Sequence, residues 1–201
     1  MTFDFSAGRQ VFIKMKPESI RLFFQLLGQG FYLEVQTGCS LKDLLSTQLG
    51  IPPDYLQNRI QTIFLNSKPV DAPENAIVAP GSVIALSAAM PGLVGAVMRK
   101  GGHYAAFRQS ISAGASAECP EAATGIVTLK LFNLVAAELG PSFLSRGIGL
   151  RGEDWQDFLK RHVDDLAAGG ATAKIDGKAA ALRDIPAMDW RGASVLLRVA
   201  P

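Results

Sequence analysis

Apolar and polar positions follow the same order twice along the chain. In each copy a short strand-like run, residues 11–16 or residues 127–132, leads into an apolar segment at helical spacing that reaches a glycine, Gly28 or Gly140. Because apolar residues at every third or fourth position form one face of a helix, this pattern predicts a strand followed by a helical segment. A repeated order of this kind predicts two similar structural units in one chain.

The middle of each copy predicts its main helix. Apolar residues at i, i+3 and i+4 form a stripe in both copies, and polar residues stand where a helix N-cap belongs. The stripes are Leu41, Leu44 and Leu45 after Ser40 in the first copy, and Trp155, Phe158 and Leu159 after Glu153 and Asp154 in the second. We therefore expect each helix to bury its stripe against a sheet.

The last part of each copy predicts a hairpin and a final strand. A polar pair suited to a tight turn follows a short apolar run, and a turn glycine then precedes the last strand. These turn residues are Asn66-Ser67 and Gly81 in the first copy, and Asp176-Gly177 and Gly192 in the second. The copies cover residues 9–90 and 124–201 and are joined by residues 91–123.

This order of elements resembles the ubiquitin-like β-grasp. The second copy is similar to the small sulfur-carrier subunit of molybdopterin synthase and to its relative in thiamine biosynthesis, through residues 127–140 and the strand and turn at 173–178. The resemblance implies an α+β fold of two tandem β-grasp lobes, each a mixed sheet of about four strands over one main helix. The lobes are expected at 9–90 and 124–201, with a Gly-rich basic connector and a flexible linker between them.

The sequence departs from the sulfur carriers at their functional end. In that family a C-terminal Gly-Gly carries the thiocarboxylate, and glycine gives the tail the freedom to enter a partner's active site. Here the last residues read Leu-Arg-Val-Ala-Pro, so we expect no carrier chemistry at Pro201.

Composition limits the chemistry that the chain can carry. Apolar residues make up 48% and charged residues 19%, which suits a protein with a buried core. Two cysteines and two histidines are too few for a transition-metal site, and no catalytic constellation stands out, so we expect no metal, no cofactor and no enzyme activity. A net charge of +2 gives no reason to expect nucleic-acid binding.

The N-terminal residues predict a cytoplasmic protein, because they include an early acid and no apolar run of signal-peptide length. Residues 75–98 carry no charge and are long enough to span a bilayer. Prolines and glycines interrupt them, however, and the repeat places a strand in their first half. We therefore expect no membrane association.

The connector holds the most informative residues outside the repeat. No Asp or Glu occurs between residues 75 and 117, which leaves its bases unbalanced. The candidate ligand- or partner-binding residues are Arg99, Lys100, Gly101, Gly102, His103 and Arg108. The candidate interface residues are Leu93, Val94, Val97, Met98, Tyr104 and Phe107.

Three interpretations of the connector stay open. In the first, its apolar residues pack between the lobes or against a second chain, and the bases are solvated. In the second, glycine N–H groups together with Arg99 and Arg108 bind a phosphate or carboxylate. In the third, cleavage after Gly102 exposes a Gly-Gly terminus, as in sulfur carriers that are made as longer precursors.

Together these observations favour a non-catalytic β-grasp module that recognises a protein partner or a small anionic ligand through the connector. A protein partner or homo-oligomer and a small anion are the expected partners, whereas nucleic acid and membranes are not. The alternative is a sulfur-carrier precursor in cofactor biosynthesis, activated by cleavage after Gly102.

Overall fold

The computed structural model describes residues 3–88 and 123–201. These residues form an α+β fold with several helices and a mixed sheet of ten strands. The strands in chain order are β1 (Arg9–Lys14), β2 (Phe31–Thr37), β3 (Thr62–Leu65), β4 (Lys68–Pro69), β5 (Val83–Ser87), β6 (Ala123–Phe132), β7 (Ile148–Arg151), β8 (Thr172–Ile175), β9 (Lys178–Ala180) and β10 (Ser194–Ala200). The α-helices are α1 (Phe24–Gln29), α2 (Leu41–Asp43), α3 (Pro53–Asn58), α4 (Asn133–Arg146) and α5 (Gly152–Ala168).

The sheet is larger than the two sheets of about four strands that the sequence predicts. Strand β2 pairs with β7 through Tyr32 and Gly149, which joins all ten strands in one sheet. Strand β1, which opens the first copy, pairs in parallel with β10, which closes the second. Strand β6, which opens the second copy, pairs in parallel with β5, which closes the first. The copies therefore exchange their opening strands.

The chain divides into two compact units. Unit A comprises Met1–Tyr32 and Ala137–Pro201, and unit B comprises Leu33–Ala136. Each unit thus contains residues from both predicted copies. The domain boundaries drawn from the repeat, 9–90, 91–123 and 124–201, stay a prediction.

Unit A has two parallel strands at its centre. Strand β1 pairs with β10 on one side and with antiparallel β8 on the other, and β10 pairs with antiparallel β7. Strands β8 and β9 form the predicted hairpin, with Asp176 and Gly177 at φ 50° and 78°. The predicted stripe on α5 is confirmed, because Trp155, Phe158 and Leu159 are completely buried.

Unit B has the same kind of centre, formed by parallel β5 and β6. Strand β3 pairs with antiparallel β4 and β5, and its hairpin turn holds Asn66 and Ser67 at φ 50° and 65°. The predicted stripe of Leu41, Leu44 and Leu45 is completely buried. The predicted N-cap is also confirmed, because the Ser40 hydroxyl accepts the Asp43 N–H at 3.1 Å.

Helices α1 and α4 end at later glycines than the sequence predicts. Helix α1 continues past Gly28 to Gly30 at φ 119°, and α4 continues past Gly140 to Gly147 at φ 112°. Gly140 instead allows a close approach, since a Cβ there would lie 2.6 Å from a methyl carbon of Leu27. A positive φ, rather than the first glycine in the pattern, thus sets each helix end.

Within the described part of the chain, no helix is both long and apolar enough to cross a membrane.

Candidate functional site

The binding and interface residues expected in the connector lie outside the described residues. They are Arg99, Lys100, Gly101, Gly102, His103 and Arg108, with the apolar set Leu93, Val94, Val97, Met98, Tyr104 and Phe107. Cys119 lies outside the described residues as well. All three interpretations of the connector therefore stay predictions.

A cleft of about 480 Å³ opens on unit A, a volume within the usual range for small-molecule sites. Its walls come from strands β1, β8 and β10, from the segment before β1 and from the end of α4. The aromatic, apolar and basic side chains in these walls are Phe5, Phe12, Arg146, Lys174, Leu196 and Arg198, with Val11 on the core side of β1.

Strand alternation explains why these side chains share one face. On β1 the side chains of Val11 and Ile13 are buried in the core, so Phe12 points to the opposite face. The same alternation on β10 buries Val195 and Leu197 and leaves Arg198 exposed. On β8, Ala173 and Ile175 are buried and Lys174 is exposed. We call this surface the open face of unit A.

The strand register places one aromatic ring between two cations. Phe12 pairs with Lys174 on β8 and with Arg198 on β10. Neighbouring strands lie about 4.8 Å apart, so the two cations stand one strand away from the ring on either side. Phe12 itself is only partly buried.

Arg198 is held in place by the end of α4. Its Nε donates a hydrogen bond to the backbone carbonyl of Arg146 at 3.1 Å. This bond satisfies a carbonyl that the helix end would otherwise leave without a partner. Gly147 lies beside the arginine side chain at φ 112°, a backbone conformation that glycine adopts readily, and a Cβ there would be in ordinary contact with Arg198 Cγ at 3.4 Å. The bond uses only one N–H of the guanidinium.

Among the described residues, no carboxylate lines the cleft. The acid beside it, Asp176, accepts the Gln10 N–H at 2.8 Å, and its second oxygen lies 3.6 Å from Arg9 Nε. The ion pairs within residues 3–88 and 123–201 include neither Lys174 nor Arg198. The cleft therefore keeps an unbalanced positive charge.

The lining of the cleft consists mainly of basic, aromatic and apolar residues. Those that the structure describes include no Ser, Thr, Cys, His, Asp or Glu, so they form no nucleophile–base pair of the usual kind. The cleft offers three exposed basic side chains, two aromatic rings and apolar walls, which suit the binding of a ligand.

Other reactive side chains in the described residues lack the surroundings of a site. Burial raises the pKa of the Cys39 thiol, which donates to the Gln36 carbonyl at 3.3 Å. His162 Nε2 lies 3.3 Å from the Gln25 amide oxygen, and its ring packs on Phe158. In the portion of the chain that is described, no three potential metal ligands lie together.

The sequence pattern alone did not identify the open face, because its residues come from the two ends of the chain. Phe12 lies in the first copy, whereas Lys174 and Arg198 lie in the second. Only the exchange of β1 brings them together. One feature of the sequence did point to the open face. Apolar and polar residues alternate along β1, and the aromatic Phe12 stands at a position that the alternation assigns to polar residues, between Gln10 and Lys14.

Comparison of the chain with family models, curated proteins and solved structures found no match in any of the three. The function of the protein is therefore inferred from the residues and geometry of this chain alone.

Proposed function

We propose that the protein is a non-catalytic β-grasp binding module that recognises a small anionic ligand or an anionic group on a protein partner. The observation that carries this proposal is the row formed by Lys174, Phe12 and Arg198 on the open face of unit A. Ammonium and guanidinium groups form charge-assisted hydrogen bonds with phosphates and carboxylates. Because the described lining of the cleft holds no carboxylate, both cations are available to such a ligand.

Several structural features support the β-grasp assignment. Each unit combines a mixed sheet, a buried helical stripe and a tight hairpin, in the order that the repeat predicts. Each also has a parallel strand pair made from the opening strand of one copy and the closing strand of the other. The strands beside this pair differ, since the hairpin strand β8 pairs with the opening strand β1 in unit A, whereas β3 pairs with the closing strand β5 in unit B.

The connector remains a second proposed binding segment. Its bases and its Gly101-Gly102 pair have the composition of an anion site, and its apolar residues have that of an interface with a partner or a second copy. The cleft and the connector make different predictions for mutagenesis, so one experiment separates them.

Strand exchange counts against the alternative of a sulfur-carrier precursor. A cut after Gly102 would leave β1 on one fragment paired with β10 on the other, and β5 paired with β6 in the same way. The two fragments would therefore be held together by these strand pairs, and the fragment that ends at Gly102 would not be released as a separate carrier.

The test is calorimetric titration of the full chain with inorganic pyrophosphate. Lys174→Ala and Arg198→Ala should each weaken binding about tenfold, the usual size of one lost hydrogen bond to a charged group. The matched control is Lys160→Ala, which removes an exposed lysine that pairs with Asp157 and does not line the cleft. The control should bind as the parent does.

The outcomes distinguish the two surfaces. Loss of affinity in the cleft variants, with the control unchanged, supports the open face. Parental affinity in both cleft variants would overturn it. A double variant, Arg99→Ala with Arg108→Ala, tests the connector: if it alone loses binding, the connector is the anion site.

A further inference from the structure

We infer that the ligand of the open face is an aromatic anion of the nucleotide class, with a planar ring stacked on Phe12 and a phosphate held by a neighbouring cation. This inference rests on the proposed function, since it requires that the cleft bind an anion. It goes further by assigning the uncharged part of the ligand.

The position of Phe12 is the first reason. The residues on either side of it, Val11 and Ile13, fill the core, so the Phe12 ring is not needed there. Its neighbours on the same face of β1, Gln10 and Lys14, are exposed and polar. A partly exposed aromatic ring on a sheet surface offers a π-face on which a flat ring can stack.

The placement of the cations is the second reason. Lys174 and Arg198 lie beside the ring on neighbouring strands, at the same level along the sheet. A ligand ring stacked on Phe12 therefore has its substituent beside the neighbouring strands β8 and β10, which carry these two cations. A ring joined to a phosphate through a short sugar satisfies both parts of the surface at once.

The size of the cleft limits the ligand to a single nucleotide. Phe5, Gly147 and Gly177 line it together with the strand residues, and the volume is about 480 Å³. An extended single strand of nucleic acid needs a basic groove that follows its backbone over several nucleotides. The net charge of +2 gives no sign of such a groove. The observations thus favour a mononucleotide.

The test compares AMP, ribose 5-phosphate and inorganic phosphate by titration of the full chain. AMP should bind about tenfold more tightly than ribose 5-phosphate, which is the effect expected of one base on one aromatic ring. Phe12→Leu keeps an apolar side chain and should remove this difference, leaving ribose 5-phosphate binding unchanged. The matched control is Phe132→Leu, at an exposed phenylalanine that does not line the cleft.

A measurement on the parent protein guards against a variant that fails to fold. At saturating AMP, nuclear Overhauser contacts between the adenine protons and the Phe12 ring protons support stacking, and their absence overturns it.

The remaining outcomes test two claims separately: that the ligand carries an aromatic ring, and that the cleft binds an anion. Equal affinities for AMP and ribose 5-phosphate would overturn the aromatic ligand and leave the anion site standing. If the parent protein binds none of the three probes, the inference falls; if it does not bind pyrophosphate either, the proposed function falls with it. If hexa-adenylate binds more than about a hundredfold more tightly than AMP, the open face is a binding surface for single-stranded nucleic acid instead of a mononucleotide site.

Discussion

At residue scale, Gly152 shows how closely two backbone segments approach in unit A. Its N–H donates to the Ala193 carbonyl at 2.8 Å. A Cβ at this position would overlap the carbonyl oxygen of Trp190 and lie 2.9 Å from its carbonyl carbon. Because these atoms belong to the backbone, no change of side-chain rotamer can make room. Gly152 therefore fixes the first turn of α5 against the turn that precedes β10.

Gly152→Ala should lower the free energy of unfolding by more than about 3 kcal/mol, as overpacking against rigid atoms does. Urea denaturation followed by circular dichroism measures this loss. The control is Gly170→Ala, at φ 73° with no described atom within 4 Å, where only backbone strain of about 1 kcal/mol is added. If both variants lose the same amount, the close approach at Gly152 is not as described.

Residues whose role is local could be predicted from the sequence. Ser40 as an N-cap and Asp176-Gly177 as a hairpin turn each depend on neighbours a few residues away. Phe12 and Arg198 could not be recognised as partners, because they lie near opposite ends of the chain and only the parallel register of β1 and β10 joins them.

At the scale of elements, a carboxylate fastens α5 to the turn before β10. Glu153 Oε1 accepts the Gly192 N–H at 2.7 Å. This hydrogen bond from Gly192 favours the charged form and holds the pKa of Glu153 below its ordinary value of 4.5. In the same turn, hydrogen bonds from the Arg191 side chain lower the pKa of Asp189 to about 2.

The Glu153 bond should make stability depend on pH. Since the folded state lowers the pKa, the carboxylate stabilises the fold above pH 4.5 and loses that contribution as the pH falls through the folded value. Glu153→Gln should therefore show a smaller loss of unfolding free energy between pH 6 and pH 3 than the parent does. The difference should stay below about 1 kcal/mol, because the group is exposed to solvent.

Urea midpoints at the two pH values measure this difference. Glu74→Gln, at an exposed glutamate of unit B, serves as the control and should follow the parent. The assignment is contradicted if Glu153→Gln and the parent lose the same stability on acidification.

The helical elements were predicted in kind but not in length. Their apolar stripes identified the buried faces correctly. In unit B, however, the helical stretch that begins with α2 changes after Asp43 to a π-helical turn at Leu44–Gln48, whereas α5 runs for 17 residues. A stripe at i, i+3 and i+4 over so few residues does not distinguish these two outcomes.

At the scale of the whole molecule, the repeat predicted the order of the elements but not their partners. The same sequence pattern fits two arrangements: each copy can pair its own opening and closing strands, or the two copies can exchange their opening strands. In both arrangements each sheet has one opening strand and one closing strand. The structure takes the exchanged arrangement in both units. Residues from both ends of the chain consequently form the open face of unit A.

Because each parallel strand pair joins strands from opposite sides of Gly102, the two fragments of a chain cut after Gly102 should stay associated. A specific protease site introduced between Gly102 and His103 and then cut should give two fragments that elute as one species at the mass of the intact chain. The register of β1 with β10 over six residue pairs, and that of β5 with β6, joins the fragments. Denaturant should separate them. Elution as two separate species in native buffer would contradict the exchanged pairing.

Binding of an anionic ligand on the open face of unit A can be followed residue by residue. The experiment is titration of the ¹⁵N-labelled full chain with AMP, followed by amide chemical shifts. Progressive shifts are expected at Phe12, Lys174 and Arg198 and at their neighbours on β1, β8 and β10. Shifts confined to residues 91–112, or no shifts at saturating AMP, would contradict it.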